Sequence, residues 1–140
     1  GDRIHLLIER LRIKTPGAHA TVRQLSGGNQ QKVALAKWFA RRSSLYLLDE
    51  PSVGIDVGAK VEIYRLIGEL VKEGAGVLIL SSDLPELLGL CDRIHVMHRG
   101  AIAARFAAGE ANSDRLLAVA TGAQRAQHEE RPFYAYAIAI

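Results

Sequence analysis

Apolar residues recur at Ile4, Leu7, Ile8 and Leu11, with Glu9, Arg10 and Arg12 turned to other faces. Steps of three and four predict an amphipathic helix of about three turns, in a region closed by Pro16-Gly17. Thr21 to Gln24 lead into a loop in which Gly27-Gly28 breaks regular structure. Gln30 to Arg41 then reads as a helix, and Val33, Ala34, Ala36, Trp38 and Phe39 predict that it is well buried. Leu45 to Leu48 is a short apolar run between Ser43-Ser44 and Pro51, the pattern of a buried strand.

A second long helix is predicted over Val57 to Lys72, with Val61, Tyr64, Leu66, Ile67 and Leu70 apolar. Glu73-Gly74-Ala75-Gly76 stops it. Val77 to Leu80 is a further buried strand, so strand, helix and strand follow in the order of a right-handed parallel crossover. Leu84 to Leu90 predicts a short helix. Arg93 to His98 and Ala101 to Phe106 predict two strands around an Arg99-Gly100 turn. Ser113 is placed to cap a last helix that runs through Thr121 and ends at Gly122. The expected domain is residues 1–122, with 123–140 a poorly ordered tail.

The 140 residues suffice for one domain with a real core. Hydrophobic residues make up 49% and charged ones 24%, a globular balance that argues against bulk disorder. A net charge of +3 is small and scattered. It fits an acidic ligand, a membrane-surface partner or an ordinary solvated surface. No basic tract with interleaved aromatics occurs, so no nucleic-acid partner is expected. The single cysteine, Cys91, has no internal partner and fits a reducing compartment. No signal peptide is visible, and no apolar run reaches the roughly 18–20 residues of a bilayer span. His95 and His98 lie three apart on a strand, on opposite faces, so structural roles are expected rather than a shared metal. Trp38 and Met97 read as core or interface residues.

Two places carry chemistry. In Ser26-Gly27-Gly28 the glycines let backbone approach a ligand and aim N–H groups at it, and a helix starting there turns its positive end the same way. Such a loop is either an anion site suited to a terminal phosphate or a tight turn that caps a helix. At Asp49-Glu50 two carboxylates follow a buried strand, where open α/β sheets place ligand chemistry. One suits Mg²⁺ and the other an attacking water. Asp56, in Gly54-Ile55-Asp56, is in any case a helix N-cap candidate.

Leu25-Ser-Gly-Gly-Asn-Gln-Gln-Lys-Val33, Leu47-Leu-Asp-Glu-Pro-Ser-Val-Gly-Ile-Asp-Val-Gly-Ala-Lys60, Ser81-Ser-Asp-Leu-Pro-Glu-Leu-Leu-Gly-Leu-Cys-Asp-Arg-Ile94 and Val96-Met-His-Arg-Gly100 decide between these alternatives. Together they resemble the C-terminal ATPase half of sugar-importing ABC transporters, the ribose/galactose/xylose type, over roughly residues 3–122. The resemblance implies an α/β fold, part of a P-loop NTPase, with a parallel strand-helix-strand core plus a C-terminal strand pair and helix. No Gly-x-x-x-x-Gly-Lys-Ser/Thr loop occurs in the chain. In the family the P-loop strand lies between the 77–80 and 93–98 strands, so a gap with unpaired backbone is expected there.

The resemblance further implies ATP and Mg²⁺ as ligands. It assigns Ser26, Gly27, Gly28, Asn29 and Asp56 to nucleotide contact, Glu50 and Ser82 to catalysis and Asp49 to the metal. Ser82 stands where most of the family has histidine, and Asn29 where most has glutamine; both fit the sugar subfamily. Serine cannot carry a charge, so weak catalysis is expected at this domain's own site. The implied partners are a second ATPase domain docked head to tail, membrane permease subunits and, indirectly, a periplasmic sugar-binding protein. The implied location is the cytoplasmic face of the bacterial inner membrane. The competing expectation is a non-catalytic docking module derived from such an ATPase.

Overall fold

The computed structural model describes residues 2–123, with side chains from Ile4 onward. The expected tail, apart from Ala123, lies outside the described residues. Backbone contacts divide the chain into two units, Gly1–Ser44 with Pro51–Ala75, and Leu45–Glu50 with Gly76–Ile140.

The first unit is helical. Helix α1 (Asp2–Arg10) ends where Arg12 takes a left-handed φ of 46°, earlier than Pro16-Gly17. Arg12 N–H bonds Glu9 O at 3.0 Å and Ile13 N–H bonds Ile8 O at 2.9 Å. This is a Schellman closure, and it brings Ile13 back onto Ile8 in the apolar cluster. A single 3-10 turn at Val22–Gln24 precedes α2 (Gly27–Phe39), and α3 (Val57–Lys72) completes the unit. Leu11, Ile13, Ala36 and Leu66 are buried together, with Leu7, Ile8, Leu25, Val33 and Phe39 packed around them.

Ion pairs tie the end of α1 to α3. Arg10 pairs with Glu69 and Glu73, Arg12 with Glu62, and Arg65 with Glu62 and Glu69. The Glu73 carboxylate, with help from Glu69, holds the Arg10 guanidinium above its ordinary pKa. Lys32 is buried, and its Nζ donates to Arg12 O at 3.2 Å. Burial lowers its pKa, partly offset by Glu62.

Two expectations for this unit are corrected. Helix α2 begins at Gly27, not Gln30, so the glycines are its first turn rather than a break. Glycine costs a helix little where the first N–H groups have no intrahelical partner. Trp38, expected as a core or interface residue on a well-buried helix, is 58% exposed, which removes the core half of that expectation, and the Arg41 guanidinium stands 5.8 Å from its ring centroid. Ala34 is exposed as well.

The second unit holds four strands. β1 (Leu45–Asp49) and β2 (Gly76–Leu80) pair in parallel, from Leu45 opposite Gly76 to Asp49 opposite Leu80. Tyr46 and Leu48 face inward with Val77 and Ile79, while Leu45 and Leu47 are 57% and 66% exposed. The apolar run therefore does not mark a strand covered on both faces; alternation along the pleat leaves one face open. Helix α4 (Leu84–Leu90) leads to β3 (Arg93–His98) and β4 (Ala101–Ala107), which pair antiparallel. Arg99 and Gly100 both have positive φ, as a two-residue hairpin whose twist matches its strands requires.

Helix α5 (Ser113–Ala120) is capped by Asn112, whose Oδ1 accepts from Arg115 N at 2.9 Å, and not by Ser113. The two strand pairs share no ladder among the described residues, in keeping with the expected missing strand. His98 Nδ1 lies 2.8 Å from Ala120 O, a structural contact, and no metal-binding group of His, Cys, Asp and Glu occurs among the described residues.

Cys91 is buried, and burial, aided by Glu86 and Asp92, pushes its thiol up to about 12. Thiol labelling at pH 8 is expected to be slow in the folded chain and fast once denaturant is added. The same shift has a sign for stability. The folded thiol keeps its proton where an unfolded one loses it, so stability falls as pH rises above about 9. Labelling at equal rates with and without denaturant contradicts this.

Candidate functional site

In the first unit the chain turns at Ser26, the N-cap of α2, with φ −61° and ψ 156°. A serine there ordinarily accepts from the second or third amide of the helix. Ser26 does not. Its Oγ instead accepts from Asn29 Nδ2 at 2.8 Å, and Asn29 Oδ1 accepts from Lys14 N at 2.8 Å. The first ladder bond of α2 is Gln30 N to Ser26 O at 2.9 Å. The amides of Gly27, Gly28 and Asn29 therefore have no acceptor among the described residues. Ser26 and Gly27 are exposed and Asn29 is half-buried, while Gly28 is buried, so the Gly27 end of this group faces solvent at the positive end of a 13-residue helix.

Gly28 is buried against the start of α3. A Cβ on it would stand 2.8 Å from Ala59 Cβ and 3.6 Å from Asp56 Oδ2. A Cβ on Gly27 would stand 3.6 Å from Gly54 O. Asp56 caps α3 by accepting from Ala59 N at 2.9 Å. Gln31 Nε2 donates to Pro51 O at 3.2 Å. Ser26, Gly27, Gly28, Asn29 and Asp56 thus come together within one unit. Three amides without an acceptor among the described residues and one hydroxyl lie at the start of a helix, with the Asp56 carboxylate beside Gly28.

The second unit carries the carboxylates. Asp49 closes β1 with an exposed side chain that makes no hydrogen bond or ion pair with the described residues. Glu50, the next residue, has a left-handed φ of 44°, a strained backbone for a non-glycine residue. Its N–H bonds Leu80 O at 2.8 Å, and its Oε1 accepts from Ser82 N at 3.0 Å. Its Oε2 is buried with no partner among the described residues. Glu50 and Ser82 are thus brought together, through the serine backbone and not its exposed hydroxyl.

Sequence reasoning missed the polar pair beneath them. Ser81 and Glu86 are both buried; Ser81 Oγ donates to Glu86 Oε2 and accepts from Asp83 N at 3.0 Å. Asp83 and Glu86 form the cap signature of α4, Asp83 Oδ1 accepting from Glu86 N at 3.1 Å. That spacing was readable in the sequence; the burial of the glutamate was not.

A family model described as "ABC transporter" matches residues 1–53. The chain is 96% identical over 134 residues to the Ribose import ATP-binding protein RbsA of Pseudomonas putida, covering 96% of this chain and 26% of that protein. It is 48% identical to the Xylose import ATP-binding protein XylG of Geobacillus kaustophilus, over 83% of this chain and 23% of that one. The chain thus spans about a quarter of the length of the curated relatives it matches. Among solved structures, an ATP-binding subunit of an ABC transporter superposes with a TM-score of 0.69 at 25% identity, over 83% of this chain and 52% of that one. A dimeric ATP-binding cassette in a post-hydrolysis state with ADP and Pi superposes at 0.67 and 23% identity, over 76% and 46%. Motifs, fold and relatives agree: the chain belongs to the ABC transporter ATPase family and is part of one of its ATP-binding domains.

Proposed function

We propose that this chain donates its Ser26–Asn29 loop to the ATP site of a partner ATP-binding domain, as part of an ATPase that energises carbohydrate import. The observation that carries the reading is the uncapped start of α2, where three amides lack an acceptor among the described residues and Ser26 leaves them free. Ser26 Oγ and the amides of Gly27 and Gly28 grip the terminal phosphate. Asp56 fixes the 54–59 segment against Gly28. The ribose and xylose import names of the relatives support sugar as cargo. Permease subunits and a periplasmic sugar-binding protein complete the proposed assembly, with this chain at the cytoplasmic face of the inner membrane. No helix among the described residues is long and apolar enough to cross a membrane.

Asp49 and Glu50 serve this domain's own, weaker site. Mg²⁺ fits there on donor chemistry: it takes one or two carboxylates beside phosphate and water, and Asp49 presents one free carboxylate. When bound, the ion neutralises charge on the phosphates. Glu50 is the candidate to orient water through its unpartnered Oε2, while Ser82 N–H holds the other oxygen. The chain has no P-loop lysine of its own, so no ATP turnover is expected from it alone.

The test is sedimentation of this chain with a P-loop-bearing cassette from a sugar importer. Association with Mg-ATP and dissociation with Mg-ADP is expected. Binding that ignores the nucleotide supports the docking-module reading instead.

A further inference from the structure

We infer that Asn29 is a positioning residue that holds the Ser26 hydroxyl outward and keeps the first turn of α2 uncapped. The inference rests on the phosphate-gripping reading of the loop proposed above. It starts from a one-way constraint on hydrogen bonding. The Lys14 backbone N–H is a donor and nothing else, so the Asn29 amide must turn its oxygen toward it, at 2.8 Å. That choice fixes the other end. Nδ2 must then face Ser26 Oγ, at 2.8 Å, and Nδ2 is a donor only. Ser26 Oγ is therefore the acceptor in this bond, and its own proton is left to donate elsewhere.

The same bond diverts the serine oxygen from its ordinary work. An N-cap serine bonds the amide of the second or third helical residue, here Gly28 or Asn29. In a capping box the third residue reaches back to the backbone N–H of the cap. Asn29 is that third residue, but it reaches the cap's side chain. The helix loses its cap, and Gly28 and Asn29 keep free amides beside Gly27. Three backbone donors and one hydroxyl donor are then left without an acceptor at the head of α2, the set that an anion's oxygens would take.

The anchor of this relay is itself held. Lys32, one turn further along α2, is buried and donates Nζ to Arg12 O at 3.2 Å. Asn29 and Lys32 together fasten the 12–14 segment to α2, so the Lys14 N–H stays in place for the asparagine. Asn29 touches no phosphate in this account; it acts through Ser26.

The test measures single-turnover ATP hydrolysis by a P-loop-bearing partner domain in the presence of this chain. Ser26→Ala is expected to lower the rate by on the order of a hundredfold, with the nucleotide KM unchanged, because the partner binds the nucleotide. Asn29→Asp keeps an acceptor for Lys14 and nearly the same shape, but it accepts the Ser26 proton and draws the hydroxyl inward. Its rate is expected to fall at least as far as that of Ser26→Ala. The Ser26→Ala/Asn29→Ala double variant is expected to match Ser26→Ala alone.

Amide exchange on this chain without nucleotide gives a second readout. In Asn29→Ala the released hydroxyl is free to cap the helix, so the amide of residue 28 or 29 slows about fivefold, the factor of an ordinary N-cap bond. Wild-type rates in both Asn29 variants, or losses that multiply in the double variant, overturn the inference while leaving the loop's role intact. A wild-type rate for Ser26→Ala overturns the reading of the loop and the functional half of this inference with it.

Discussion

Gly27→Asp should lower the partner domain's ATP hydrolysis by at least about a hundredfold while leaving this chain as stable as before, or slightly more so. Gly27 is exposed, it has no left-handed φ, and a Cβ on it meets only Gly54 O, at 3.6 Å. A side chain is therefore accommodated. An aspartate in the first turn of a helix also stabilises it, by about 0.3–1 kcal/mol, through the dipole and the free amides. On the proposed function the same carboxylate sits in the place of the phosphate, and two like charges at contact repel by about 1 to 4 kcal/mol between bulk water and a protein surface. The free amides meanwhile turn to the carboxylate. A stabilised fold with lost activity is the signature of a site residue. The pair of measurements is a thermal melt of the variant and a turnover assay with the partner. An active variant, or one inactive only because it has unfolded, contradicts the assignment.

Gly28→Ala should do the opposite, costing stability before anything else. A Cβ on Gly28 would stand 2.8 Å from Ala59 Cβ, a distance that real methyl groups do not adopt. Ala59 sits in the first turn of α3, fixed by the bond from its amide to Asp56. Neither methyl group has a rotamer by which to escape. Overpacking of this kind costs about 1–3 kcal/mol. The helix-propensity gain of alanine over glycine, about 1 kcal/mol in a helix interior, is smaller at a first turn. A net loss follows, and Tm falls by at least about 3 °C. Adding Ala59→Gly should restore part of it, since the two Cβ atoms are the clash. Equal melting of Gly28→Ala and the unaltered chain shows that α2 and α3 do not approach this closely.

These two glycines also mark what the sequence could and could not convey. Strong periodicity with clear stop signals located α3 and α4 to the residue, and the 76–80 strand and the 93–107 hairpin nearly so. Local chemistry was enough there: Asp56 and Asp83 cap, Gly74 stops, Arg99-Gly100 turns. The start of α2 was misplaced because glycine reads as a breaker. Only the distant Ala59 explains why a helix tolerates it. Leu45, Leu47 and Trp38 were assigned to the interior on hydrophobicity alone, which does not say which face another element covers. Asn112 and Ser113 are both capping residues, and the choice of the first depended on where the chain turned. Of the candidate site, the proposed members are those the resemblance implies. The Lys14–Asn29–Ser26 relay and the Glu50 bond to Ser82 N were out of reach, because both run between a side chain and a backbone amide far away along the chain.

On the proposed function, the amides at the head of α2 are kept free for a phosphate held by a neighbour. Nitrogen-15 NMR of this chain, with a P-loop-bearing partner domain and Mg-ATP added, tests it most directly. The amide resonances of Gly27, Gly28 and Asn29 should shift and gain protection from exchange with ATP present, and revert with ADP. Partner binding that leaves these three amides unchanged, or changes them identically with either nucleotide, contradicts the account.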